Sequence, residues 1–170
     1  MSQQPIIPPL GLGELEFATF HEGYLSRYIQ LADAKAGTAL VVTAGTLGYL
    51  LGQESFVSAL KWTTGPVISG VAIASAVLLT TSSLLSFVVI APRGSKPGAS
   101  LVFWSDVARL KSTDFVDAVR AAGLDGLARE RLSHSHALAG ICAKKFWWLR
   151  GSLLVGGVGL VFSLAFRLVS

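Results

Sequence analysis

The chain has 170 residues, 52% of them hydrophobic and only 14% charged, with a mean hydropathy of +0.60. Soluble domains run nearer 25% charged, so the composition excludes an ordinary water-soluble domain. The net charge of +4 is unevenly held: residues 91–150 carry ten of the fourteen Lys and Arg but five of the ten acids.

Residues 1–12 are Pro-rich and aperiodic, the composition of a disordered start. No basic n-region precedes the first apolar run, so the first span is expected to be retained. A helix is predicted from about Gly13, with residues 13–35 amphipathic and cytoplasmic. Phe17, Phe20, Tyr24, Tyr28 and Leu31 follow the 3,4 spacing of one helical face. Such a row either packs on a neighbouring helix or stacks on a base, and packing is the reading we adopt. No breaker intervenes before residues 36–52, the first predicted span. It is short, roughly 25 Å at ~1.5 Å per residue, and Lys35 can snorkel to lengthen it. Ala36, Ala44, Gly48 and Gly52 share a ridge of small residues, the pattern of a close helix contact in lipid.

A link over 53–66, with one Glu and one Lys, is expected outside. The second span, 67–90, lies inside the 31 residues from Trp62 to Pro92 that hold no charge at all. That is ample for a ~30 Å hydrocarbon core, which needs about 20 apolar residues. Small residues stand at Ala72, Ala76 and Thr80. A basic turn follows, then a helical segment through residue 146. In it, Leu101 to Leu110 form a short apolar helix or turn, and Phe115, Val116 and Val119 the buried face of a second helix that stops at Gly123. A last helix starts near Asp125, with Leu127, Ala128, Leu138, Ile141 and Cys142 on one face. It continues into the third span, 147–168, where Trp147 and Trp148 mark an interface. The fold class is an all-α membrane protein: three transmembrane helices with a small helical cytoplasmic insert between the second and third. The Lys and Arg excess places the N-terminus and residues 91–146 inside, by the positive-inside rule. The same excess also suits an anion site.

We find no phosphate-cradling loop, nucleophile elbow or HExxH, so no enzyme, cofactor or metal is expected. His134 and His136 sit two apart, on nearly opposite sides of a helix. Cys142, the single cysteine, excludes an intramolecular disulfide and reads as packing. Apart from Arg150 and Arg167 near the two ends of the third, the predicted spans lack acids and bases, which argues against a coupled carrier. Asp33 and Lys35, at the mouth of the first span, are either solvated boundary charges or seek partners elsewhere.

Three segments in order resemble one family. Ala32-Asp33-Ala34-Lys35-Ala36 is similar to the ADxKA segment of the transmembrane effectors of bacterial Pycsar anti-phage systems (PycTM-like). Leu101-Val102-Phe103-Trp104-Ser105-Asp106-Val107-Ala108 resembles its aromatic pair, small residue, Asp, aliphatic-Ala motif, and Phe115-Val116 its next aromatic-aliphatic pair. Leu138-Ala139, Lys145 and Leu149-Arg150 resemble the helix leading into its last span. Trp104 and Ser105 depart from the commoner Phe and Gly, and His134-Ser135-His136 stand where Gln is common. The resemblance spans about residues 20–165. It marks Asp33, Lys35 and Asp106 as family-motif positions. It implies a membrane effector that answers a cyclic pyrimidine nucleotide, cyclic UMP or cyclic CMP, made by a neighbouring cyclase. The effector then breaks inner-membrane integrity and the cell dies before phage matures.

On that reading Arg93, Lys96, Arg109, Lys111, Arg129 and Lys144 form a pool of candidate phosphate contacts. Phe103 and Trp104 are candidate stacking partners for the base. Membrane lipid and further copies of the chain are the other expected partners. A membrane anchor, or a constitutive holin-like pore whose insert docks a partner protein, is the alternative.

Overall fold

The computed structural model describes residues 10–92 and 100–169. The disordered start expected over 1–12 therefore lies outside the described residues up to residue 9, as does the basic turn 93–99 with Arg93 and Lys96. Five helices follow in order: α1 (Leu12–Leu51), α2 (Glu54–Leu60), α3 (Pro66–Ile90), α4 (Trp104–Val107) and α5 (Ser112–Val169). Among the described residues there is no strand. α1, α3 and α5 are each long and apolar enough to cross a bilayer, so the all-α, three-span class holds.

The helix boundaries follow local chemistry. α1 has no internal Gly-Pro breaker and runs 40 residues without interruption. α3 opens with Pro66, whose fixed φ suits a first helical position, after Gly65 at φ 102. α5 is broken at Gly123, where φ 61 and ψ −172 leave the helical region, a conformation that Gly adopts without steric cost. Trp62 also takes a positive φ, 62, at the end of α2, a place where Gly is the usual choice.

The chain divides into two compact units: Met1–Tyr28 with Arg93–Cys142, and Ile29–Pro92 with Ala143–Ser170. The first unit is thus more than the insert between the second and third spans, because the start of α1 belongs to it, and its eight Lys and Arg are matched by eight acids. Ala18 and Leu25 are its inward α1 residues. Phe17, Phe20 and Tyr24 are exposed, and they stack on His21, Tyr24 and Tyr28 respectively. The aromatic row therefore does not supply the packing face expected of it. The helix buries Ala18 and Leu25 instead, with His21 and Glu22 half-buried.

The second, apolar unit has two clusters. Leu50, Phe56, Ala59, Ala72, Leu79 and Phe166 form one, with Phe56 edge-on to Phe166 at 5.1 Å between centroids. Ala32, Ala36, Val89 and Leu149 form the other. α3 turns Ser69, Ala72, Ser75, Leu79, Ser82, Ser86 and Val89 inward. The alternating 3,4 spacing is the seam of helices packed at a shallow angle. α5 meets this seam through glycine: a Cβ at Gly159 would lie 3.1 Å from the Leu78 Cβ and 3.2 Å from the Leu79 amide nitrogen. Of the α1 ridge only Ala36 is buried, while Ala44, Gly48 and Gly52 face outward.

Candidate ligand site in the first unit

α4 is a single turn, and a one-turn helix needs outside support. Ser100 provides it. Its hydroxyl accepts the amide protons of Val102 and Phe103, each at 3.2 Å. The same hydroxyl donates to Glu130 Oε2 at 3.0 Å, and the Ser100 amide donates to Asp106 Oδ2 at 3.4 Å. One serine thereby links the chain before α4, the carboxylate of α4 and a carboxylate of α5.

Asp106 is buried, with 7% of its surface exposed, and its Oδ1 has no hydrogen-bond partner. A buried polar atom left unpaired typically costs about 1–3 kcal/mol, and more when charged. Such an atom is uncommon in a folded protein and calls for a reason. Asp106 lines a cavity of about 560 Å³ with Ser100, Leu101, Arg109, Leu110 and Glu130. Two carboxylates, one hydroxyl and one guanidinium face it; the rest of the lining is aliphatic.

A second cavity in this unit, about 530 Å³, is lined by Thr19, Leu101, Val102, Phe115 and Arg131 among others. Arg131 donates to Thr19 Oγ1 at 2.6 Å and lies 3.6 Å from Glu22 Oε2. Its charge is already engaged within the unit.

The candidate residues distribute as follows. Arg109 and Asp106 share the first cavity. Phe103 is half-buried with its ring 6.0 Å from His134, and Trp104 is exposed beside it at 6.1 Å. Lys111 is exposed just before α5. Arg129 is committed to Asp125 at 2.9 Å. This pairing, with the Leu10 amide donating to Asp125 at 2.7 Å, holds the Asp125 carboxyl below its usual range. Lys144 falls in the apolar unit. The pool of cations is therefore not one site, and Arg109 alone of the described pool joins the first cavity.

The remaining groups serve structure. Ser135 is buried and hydrogen-bonded to His21 Nδ1. Burial pushes the Cys142 thiol up, away from thiolate reactivity. In the apolar unit, Lys145 is 5% exposed, paired with Asp33, and donates to the Val89 carbonyl at 2.8 Å. One ammonium thus ties α1, α3 and α5 together. Lys35 is exposed and lines a cavity of about 520 Å³ in that unit with Thr38, Thr43 and Ser152.

Sequence reasoning missed Ser100, Glu130 and Lys145 as site or clasp residues. The Lys145 signal was present, since a lysine two residues before an apolar span needs either water or a partner. Ser100 and Glu130 gave none, because 30 residues separate them and neither belongs to a spaced motif.

These features define a class: an α-helical, multi-pass membrane protein that carries a polar helical unit with an incompletely satisfied cavity. The chain belongs to the Pycsar effector family of anti-phage membrane proteins, because the Pycsar effector protein domain matches residues 17–170. It is 22% identical over 157 residues to the Pycsar effector protein SaPycTM of Staphylococcus aureus, covering 91% of this chain and 96% of that one. It is 34% identical over 97 residues to the Pycsar effector protein PtPycTM of Propioniciclava tarda, covering 52% of this chain and 48% of that one. No solved structure matches.

Proposed function

We propose that this chain is an effector that responds to a cyclic pyrimidine nucleotide by impairing the bacterial inner membrane, ending phage infection by death of the host cell. The family match over residues 17–170 carries the reading, since it embraces both compact units. The N-terminus and the first unit face the cytoplasm, on the side of the Lys and Arg excess of residues 91–150, where a cyclase product would accumulate. The nucleotide enters the first unit, and the response is delivered by the apolar unit.

The physical support is a division of labour. α1 and α5 each contribute residues to both units. The outward Ala44, Gly48 and Gly52 of α1 offer a surface on which copies of the chain assemble in lipid.

The test is reconstitution of the full chain in dye-loaded vesicles of mixed anionic lipid. Cyclic UMP or cyclic CMP is expected to trigger dye release, with no release before nucleotide is added. Calorimetry with both nucleotides runs in parallel. No binding of either at high micromolar concentration ends the sensor reading. Release that ignores nucleotide favours a holin-like pore.

A further inference from the structure

We infer that the Asp106–Glu130 carboxylate pair reads an amino group on the ligand's base, so that this chain takes cyclic CMP in preference to cyclic UMP. The inference rests on the nucleotide-sensing reading above and assigns the site and the base.

Ionised carboxylates only accept hydrogen bonds. Both face one cavity, and Ser100 engages only one oxygen of Asp106 and one of Glu130. Asp106 Oδ1 remains buried and unpartnered. Although Arg109 lines the cavity, it leaves Asp106 Oδ1 without a donor, and an occupant that supplies N–H groups completes it.

The two candidate bases differ at this edge. Cytosine offers an exocyclic amine with two protons, for which Asp and Glu are the matching acceptors. Uracil offers one ring N–H between two carbonyl oxygens, and both carbonyls would turn lone pairs toward a carboxylate. The first arrangement gives each proton an acceptor. The second sets oxygen against oxygen.

The remaining lining agrees with a nucleotide monoester ring. Leu101, Leu110, Ala118 and Ala122 form an apolar wall for a planar base. Arg109 is the one cation in the lining, and a cyclic phosphodiester carries one negative charge.

The experiment is calorimetry of the full chain in lipid nanodiscs with cyclic CMP, cyclic UMP and cyclic AMP. Cyclic AMP is included because adenine also bears an amine. Cyclic CMP should bind at least about tenfold tighter than cyclic UMP, the discrimination of one good base contact. Asp106→Asn should weaken cyclic CMP by about 10- to 100-fold, the loss of one hydrogen bond to a charged group. It should leave the ligand-free melting temperature unchanged or raised, because it removes an unpaired buried charge. Glu130→Gln, at a half-buried position, should weaken cyclic CMP in the same direction.

Equal or tighter binding of cyclic UMP, or tighter binding of cyclic AMP, overturns the inference and leaves the sensor reading standing. So does Asp106→Asn with unchanged cyclic CMP affinity, or with a lowered ligand-free melting temperature, which would make the carboxylate structural. Failure of all three nucleotides to bind removes the sensor reading itself.

Discussion

The two units treat buried polar atoms in opposite ways. In the apolar unit the buried hydroxyls are paired: Ser75 with Ser163 at 2.7 Å, Ser86 with Ser152 at 2.6 Å, and Ser82 and Ser152 through each other's backbone carbonyls at 2.8 and 3.0 Å. Its buried ammonium, Lys145, has both a carboxylate and a carbonyl. In the first unit Glu22 Oε1 and Asp106 Oδ1 are buried with no partner. Hydrocarbon offers no substitute for a missing hydrogen bond, so spans cannot leave one unmade. A unit bathed by water can leave one unmade when an incoming molecule supplies the missing partner. Of the two unpartnered oxygens, only Asp106 Oδ1 belongs to a residue that lines the cavity with Ser100 and Glu130.

The largest test of that contrast is the Lys145 clasp. Asp33→Ala strands a buried ammonium, and breaking a buried pair on one side destabilises by about 3 kcal/mol or more. The melting temperature in detergent, followed by circular dichroism, should fall by several degrees. The double variant Asp33→Ala with Lys145→Met should recover much of the loss, since no buried charge is then left over. An unchanged midpoint for the single variant would show that water reaches Lys145, and the two units would no longer differ in kind.

Next is the glycine contact. A Cβ at Gly156 would lie 2.6 Å from Ser82 Oγ and 3.2 Å from Thr43 Cγ2. Gly156→Leu should destabilise by about 1–3 kcal/mol, the usual range for overpacking. Gly48→Leu, on the outward ridge where no atom lies within 4 Å of a built Cβ, should leave the melting temperature of a detergent-solubilised single copy unchanged. Equal losses at the two positions would mean that the ridge is packed within one chain.

Hydroxyl deletion is smaller again. Ser152→Ala removes the residue that bonds both Ser82 and Ser86, and interhelical hydrogen bonds in membranes are each worth about 0.6–1.7 kcal/mol. A loss of about 1–2 kcal/mol in detergent unfolding is expected. No loss would mean that the serines are inward for their size alone.

The spans were legible because lipid imposes a long uncharged run that no soluble core of this size requires. Their inward faces were not. Hydropathy distinguishes inside from outside only when water is outside, and around α3 both are apolar. The four-residue ladder Ala72, Ala76, Thr80 drifts off the seam, and Thr80 is exposed while Ser75, Ser82 and Ser86 are buried. The aromatic row of α1 misled for a related reason: large apolar side chains were assigned the packing face, yet Ala18 and Leu25 hold it. Asp33 signalled that it needed a partner, but 112 residues separate it from Lys145, and no local pattern spans that distance. Asp106 stood in a short motif. Its meaning as an unpartnered acceptor exists only once Ser100 and Glu130 close around it.

The smallest effect concerns a satisfied carboxylate in the first unit. Asp125 accepts from the Leu10 amide at 2.7 Å and from Arg129 at 2.9 Å, and both contacts favour its charged form. Its folded pKa is lowered, with Arg129 the larger cause and the Leu10 amide the next. A lowered carboxylate pKa adds stability above the unfolded value of about 3.9, and that addition is lost as pH falls through the folded pKa. The contact is solvent-exposed, so the global effect is slight and salt-dependent. Amide exchange at Leu10 is the sharper measurement, with protection steady from pH 7 down to about 4 and falling below it. Asp125→Asn should keep the Leu10 contact through its side-chain oxygen but abolish the pH dependence. Protection that stays steady down to pH 3 would show that the Leu10 contact does not depend on the charge of Asp125.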